Sequence, residues 1–293
     1  MGPDVARKRA IECEPLLREK KVLVVWGIKG GVGKSTISAL LAYASSNIRS
    51  KKTLLVDTDF RDGASRFFLG EEARKLKGWY DVLIEGGTLD KFIHAVSPTL
   101  HVIPSGTLDS ALKFSSLIAK EGVEKVARMV ANTLLQIQED YDQIILDSPV
   151  TSFADIPILK CNIQTLNADS VLLSQASLGE VQRTLNIAIS VLGIKPILFV
   201  INQVHPKILT DMTERRLIVA ALINIIQRGI KAIAIPLHGS LYKEIRWRSS
   251  TVRAIVECLS FMLWGVGEPK SCILATSGLI DEDLIKQLSA VKS

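Results

Sequence analysis

KVLVVWGIKGGVGKSTISALLAYA, residues 21–44, decides the fold. Its first six residues are almost continuously apolar and end at Gly27, the pattern of a strand buried on both faces. Gly30, Gly31 and Gly33 lack a Cβ, so their amides can approach a phosphate closely. A helix opening at Ser35 adds the positive end of its dipole. Lys34 supplies charge for β- and γ-phosphates, and the Ser35 hydroxyl can ligate Mg²⁺. Two common phosphate-loop patterns fail: GxxxxGK[ST] needs glycine where Ile28 stands, and GxGxxG needs one where Thr36 stands. The variant xKGGxGK[ST] fits completely.

Working outward, similar apolar runs recur at TLLVD (53–57), LHVIP (100–104), QIILD (143–147), SVLLS (170–174), ILFVIN (197–202) and AIAIP (232–236). Helical spacing occupies 35–44, 122–138, 178–192, 213–227 and 252–263. Strands alternating with helices predict an α/β fold: seven strands in a mostly parallel sheet, helices on both faces, three layers. Ligands in such sheets bind beyond the carboxyl ends of the strands. One domain is expected over 21–293, preceded by a helical arm at 1–20 and ending in a helical tail with the amphipathic stretch LIDEDLIKQLSAV.

Composition sets the outer bounds. The chain has 293 residues, 47% hydrophobic and 23% charged, an ordinary globular balance. The longest apolar stretches, 217–226 and 259–266, fall short of the roughly 18–20 residues of a membrane span. Cys13, Cys161, Cys258 and Cys272 lie far apart and form no CxxC pair, which argues against a compact disulfide framework, a zinc ribbon or a CxxC-anchored cluster and predicts scattered free thiols, as suit a reducing cytosol. Four histidines show no HExxH, and Ser105 lacks the first glycine of a nucleophile elbow.

Three aspartates end strands: Asp57 and Asp59 after the second, Asp147 after the fourth. Period-2 spacing puts Asp57 and Asp59 on one face if that strand persists to Asp59. Asp147 is poised to hold an Mg²⁺-bound water. Guanine readers place Asn/Thr-Lys-x-Asp after a late strand; here that place reads Asn202-Gln203-Val204-His205, which disfavours guanine.

The phosphate loop KGGVGKS resembles that of the ParA/MinD ATPases, the P-loop NTPases with a deviant Walker A motif. LLVDTDFRDGASRFFLG, GWYDVLIEGGTLDKFI, LHVIPSG, YDQIILDSPV and NADSVLLSQASLGEVQRT resemble that family's later segments, in the same order. The resemblance implies an ATP hydrolase using ATP and Mg²⁺, with Lys29, Gly30, Gly31, Val32, Gly33, Lys34, Ser35 and Thr36 around the phosphates. It implies that Asp59 orients the attacking water and that Asp57 and Asp147 stand behind the Mg²⁺ with Ser35. Asn202 would contact adenine, with Pro236 near the ring. Lys29 would reach the nucleotide of a facing subunit, so that a homodimer sandwiches ATP. Phe60 and Arg61 depart from the family's usual proline and glutamine.

Between 201 and 253 nine basic side chains face three acidic ones, and this excess equals the net charge of +6 for the whole chain. By resemblance to ParA proteins, Lys207, Arg215, Arg216, Lys243, Arg246 and Arg248 are candidates for non-specific DNA contact, with Trp247 between two of them. The implied role is plasmid or chromosome segregation with a ParB-like stimulatory partner, cytoplasmic and nucleoid-associated. One rival is a MinD-like membrane-positioning ATPase, opposed by the acidic Asp281, Glu282 and Asp283 of the tail. The other is a metabolic ATP-dependent synthetase, whose class lacks a lysine at the Lys29 position.

Overall fold

A computed structural model describes residues 13–17, 20–61, 63–149, 156–241, 243–281 and 283–284. Its strands are β1 (Val22–Trp26), β2 (Thr53–Asp57), β3 (His94–Ser97), β4 (Leu100–Ile103), β5 (Gln143–Asp147), β6 (Asp169–Gln175), β7 (Leu198–Val204) and β8 (Lys231–Pro236). They form one sheet in the order β3-β4-β2-β5-β1-β6-β7-β8. Every pairing is parallel except β3 with β4. The α/β three-layer architecture is therefore as expected, with eight strands among the described residues rather than seven. The extra one, β3, reads HAVS, is half-exposed at the sheet edge and carries a register shift. Such a short, polar edge strand leaves no apolar run for a sequence reading to catch.

The strands read as apolar runs are buried throughout β1, β2 and β5, which helices cover on both sides. Helix Lys34–Tyr43 packs Ile37, Leu40 and Leu41 into this core with no exposure. Helix Ser250–Trp264 buries Val252, Ile255, Val256, Leu259 and Met262 beside it. The expected helix at 122–138 is shorter, Val123–Leu135, and Gly122 at φ 86 separates it from a second one, Leu108–Glu121. Asp81 ties this side together. Its buried carboxylate accepts from Gly78 N (2.9 Å), Thr107 N (3.0 Å), Thr107 Oγ1 (2.9 Å) and Ser110 Oγ (2.7 Å).

The order of strands reverses at β1, which lies between β5 and β6, so the glycine-rich loop sits at the switch point of the sheet. The β2–β5 register sets Asp57 directly beside Asp147.

The free-thiol expectation is corrected. Cys13 pairs with Cys161 (Cα–Cα 5.3 Å) and Cys258 with Cys272 (4.7 Å). Linear spacing hid both pairs, because helix packing and the return of the arm create the proximity. The thiol-based reasoning about compartment falls with it. The arm is described only in part: 13–17 contain no helix, and Leu16 N donates to Thr165 O at 2.7 Å. The rest of the expected helical arm, 1–12 and 18–19, lies outside the described residues, as does 285–293 of the tail. In the described part of the tail, Leu279, Ile280 and Leu284 are buried.

Candidate functional site: a phosphate loop and its acidic floor

β1 ends at Trp26, and helix Lys34–Tyr43 begins eight residues later, so Gly27–Gly33 forms the loop between them. Gly33 is the N-cap, at φ 88 and ψ 26, a left-handed conformation in which glycine is unstrained. No side chain caps this terminus, so its first amides remain open to an anion. The loop is held from β7: Asn202 Nδ2 donates to Val32 O and Gln203 Nε2 to Gly31 O, each at 2.8 Å. A Cβ on Gly33 would strike the Asn202 amide. Gln203 itself sits at φ 59, the cost of turning its amide back onto the loop.

Lys34, Ser35, Thr36, Gly31 and Gly33 line a cavity of about 340 Å³ with Asp59, Asn202 and Pro236. Burial pulls the Lys34 pKa below its usual value, against the attraction of Asp147 and Asp59. Lys29 is absent from this wall; it is exposed and donates to Gln175 Oε1 at 3.1 Å. The cavity thus gathers one of the two loop lysines and leaves the other outside.

Asp147 is fully buried. It accepts from Ser38 Oγ (2.8 Å) and Ala64 N (2.9 Å), and from the Ser35 hydroxyl. Burial lifts its pKa to about 6, against those hydroxyl donors. Asp57 is lifted further, to about 8, by burial first and by the adjacent Asp147 second. Its oxygens are taken by Ser65 Oγ (2.5 Å), Ser65 N (2.9 Å) and Asp59 N (2.9 Å). Asp57 therefore stands behind the cavity, clasping the loop that follows it, and a Cβ on Gly63 would run into its carboxylate.

The strand does not persist to Asp59. β2 stops at Asp57, and the Asp59 amide folds back onto the Asp57 side chain, which turns Asp59 out of the sheet and into the cavity wall. A magnesium ion fits this donor set. With its proton committed to Asp147, the Ser35 oxygen keeps its lone pairs for a hard cation, which needs few protein ligands beside phosphate and water.

Sequence reasoning missed several residues of the wall: Arg61, Arg66, Gln203, Leu237, His238 and Leu241. Gln203 stands at the carboxyl end of β7, one residue before its last, and the others follow the carboxyl ends of β2 or β8; that placement was the available signal. Of the DNA candidates, Lys243 lines this same cavity. Arg215 donates to the Gly278 carbonyl. Lys207, Arg216, Arg246 and Arg248 are exposed, and Arg246 lies 3.8 Å from Glu244. Trp247 does not interleave with them on the surface. Its ring stacks on Tyr43 at 4.6 Å and on Phe68 at 5.3 Å.

Comparison with known proteins is consistent with this geometry. The AAA domain family profile matches residues 20–213. The septum site-determining protein MinD of Synechocystis is 30% identical over 131 residues, 44% of this chain and 45% of its own length. The chain thus spans about half the length of that relative. The sporulation initiation inhibitor protein Soj of Bacillus subtilis is 28% identical over 186 residues, 59% of this chain and 71% of Soj. A plasmid partition protein of Borrelia burgdorferi, solved bound to AMPPNP, superposes with a TM-score of 0.59 over 80% of this chain and 94% of its own, at 21% identity. That last likeness speaks for the fold alone. Among the described residues no helix is long and apolar enough to cross a membrane. With the phosphate loop at the sheet's switch point, its acidic floor and the family match over most of the chain, this protein belongs to the ParA/MinD family of P-loop ATPases.

Proposed function

We propose that the protein is a Mg²⁺-dependent ATPase switch of the ParA type, in which ATP drives dimerisation and the dimer binds DNA without sequence readout. The observation that carries it is the division of the loop lysines: Lys34 is buried in the cavity wall, while Lys29 projects outside it. Lys34 and the open amides of helix Lys34–Tyr43 hold the β- and γ-phosphates. Ser35 offers its oxygen to Mg²⁺, which neutralises phosphate charge when bound. Asp59, half-exposed at the cavity, orients the water. Lys29 reaches the phosphates of a facing subunit and completes the sandwich. Pro236 and Leu237 offer the base an apolar surface, and Asp59, at the phosphate end, is the cavity's carboxylate among the described residues, so none is available to read guanine.

A ParB-like partner stimulates turnover, and the cellular task is segregation of a plasmid or chromosome, at the nucleoid. Exposed Lys207, Arg216, Arg246 and Arg248 support the DNA surface, and the burial of Leu279, Ile280 and Leu284 takes apolar residues of the tail away from a lipid surface. Cosedimentation with duplex DNA and with anionic vesicles, each with and without ATP, tests the reading. ATP-dependent pelleting with DNA alone is expected; pelleting with vesicles alone overturns the DNA role. Lys29→Ala is expected to bind ATP as a monomer but neither dimerise nor hydrolyse, whereas Asp59→Ala dimerises and stalls. Light scattering with phosphate release separates the two, and a Lys29→Ala variant that behaves like the parent refutes the sandwich.

A further inference from the structure

Hydrolysis of a triphosphate gathers negative charge on phosphate oxygens as the old bond lengthens, and a cation placed there in advance accelerates the step. Arg61 is so placed. It lines the phosphate-loop cavity with Lys34, Ser35 and Asp59, and also a smaller adjoining cavity with Asp57 and Gly63. Its side chain is exposed, and its guanidinium has no carboxylate in ion-pair range among the described residues; its recorded contact is the neighbouring Phe60 ring, 5.5 Å from the centroid. Its backbone N–H donates to Asp59 Oδ1 at 3.1 Å, and the Asp59 amide in turn is anchored to the buried Asp57. Asp59 and Arg61 are thus presented by one turn, fixed from beneath. Lys29 faces Gln175 instead of this wall.

We propose that Arg61 is a catalytic residue acting in cis: its planar fork of donors binds the γ-phosphate oxygens of the ATP held by its own subunit. This rests on the ATPase reading above. In the step it assists, the water oxygen bonds to the γ-phosphorus. The bond from that phosphorus to the bridging oxygen breaks, and its electron pair leaves on ADP. One water proton stays on inorganic phosphate, and the other passes through Asp59 to solvent. Arg61 remains protonated throughout.

The test uses Arg61→Ala and Arg61→Lys in the full chain, with turnover at saturating ATP and calorimetric affinity for a non-hydrolysable analogue. Arg61→Ala is expected to lower kcat by about 10²- to 10³-fold with affinity held within about threefold. Arg61→Lys recovers about tenfold at most, because an ammonium lacks the fork. Mixing Arg61→Ala with Asp59→Ala decides the subunit: a residue acting in cis gives no recovery, whereas one acting in trans restores turnover in the mixed dimer. Unchanged kcat, an equal loss of kcat and affinity, or recovery on mixing overturns the proposal. A parent protein that does not hydrolyse ATP overturns the ATPase reading, and this proposal with it.

Discussion

Replacing Asn202 by alanine separates two roles for one side chain. Family resemblance gives Asn202 to adenine; the structure has its amide donating to the Val32 carbonyl at 2.8 Å, inside the phosphate loop. Val32 is 1% exposed, so its carbonyl has little prospect of water once the amide is gone. Loss of a neutral hydrogen bond costs about 0.5–1.5 kcal/mol, and leaving the buried acceptor unpaired about 1–3 kcal/mol. If about 1.4 kcal/mol of this falls on the competent loop conformation, affinity drops about tenfold. The assay is calorimetric affinity of parent and variant for ATP, GTP and inorganic triphosphate. A loop-holding role weakens all three by the same factor, since each binds through phosphates. A base-reading role weakens ATP alone. A loss confined to ATP refutes the loop-holding account, and no loss for any ligand refutes both.

Other changes are equally direct. Lys34→Ala removes the buried charge at the phosphates and abolishes ATP binding by calorimetry; unchanged affinity contradicts the phosphate-loop assignment. Gly63→Ala pushes a methyl into the Asp57 carboxylate, displaces the turn carrying Asp59, and lowers turnover more than ATP affinity in the same titrations. Asp81→Asn disrupts a carboxylate held by four donors and costs about 2–3 kcal/mol in urea unfolding. Burial alone would raise the Asp81 pKa, but those donors outweigh it and hold it below the usual value. Its contribution to stability is therefore complete above the unfolded value of about 3.9 and fades as pH falls through the lower folded one; the variant's unfolding curve lacks that acid limb. Cys258→Ser opens a disulfide spanning 14 residues and costs about 3 kcal/mol, read as a lowered Tm relative to the unreduced parent.

What could be read in advance follows from the physics of a parallel sheet. Strands buried on both faces must be apolar throughout, so β1, β2, β4 to β8 and the phosphate loop announce themselves along the chain. Three kinds of feature do not. β3 gains its place by pairing with β4, and its own side chains carry no burial signal. The pairing of Asp57 with Asp147 is a matter of register between strands some ninety residues apart in sequence, and the same register turns Asp57 into a clasp while Asp59 leaves the strand. The cysteine pairs and the Asn202 bond to Val32 are long-range meetings of the same sort. Arg61 was visible only as a departure from a family pattern; its facing of the cavity needed the turn at Asp59.

The position of β1 between β5 and β6 has a consequence for how the protein is made. All residues of the phosphate loop lie within 27–36, yet β1 gains its neighbours only when 143–147 and 169–175 exist, and the loop its brace only at Asn202. A nascent chain shorter than that carries the whole motif without the pocket. Contacts of such sequence separation close slowly, because loop entropy is spent before they form. Nucleotide capture on the ribosome therefore waits until the segment carrying Asn202 has emerged, and ATP can stabilise only molecules whose sheet is already nearly complete.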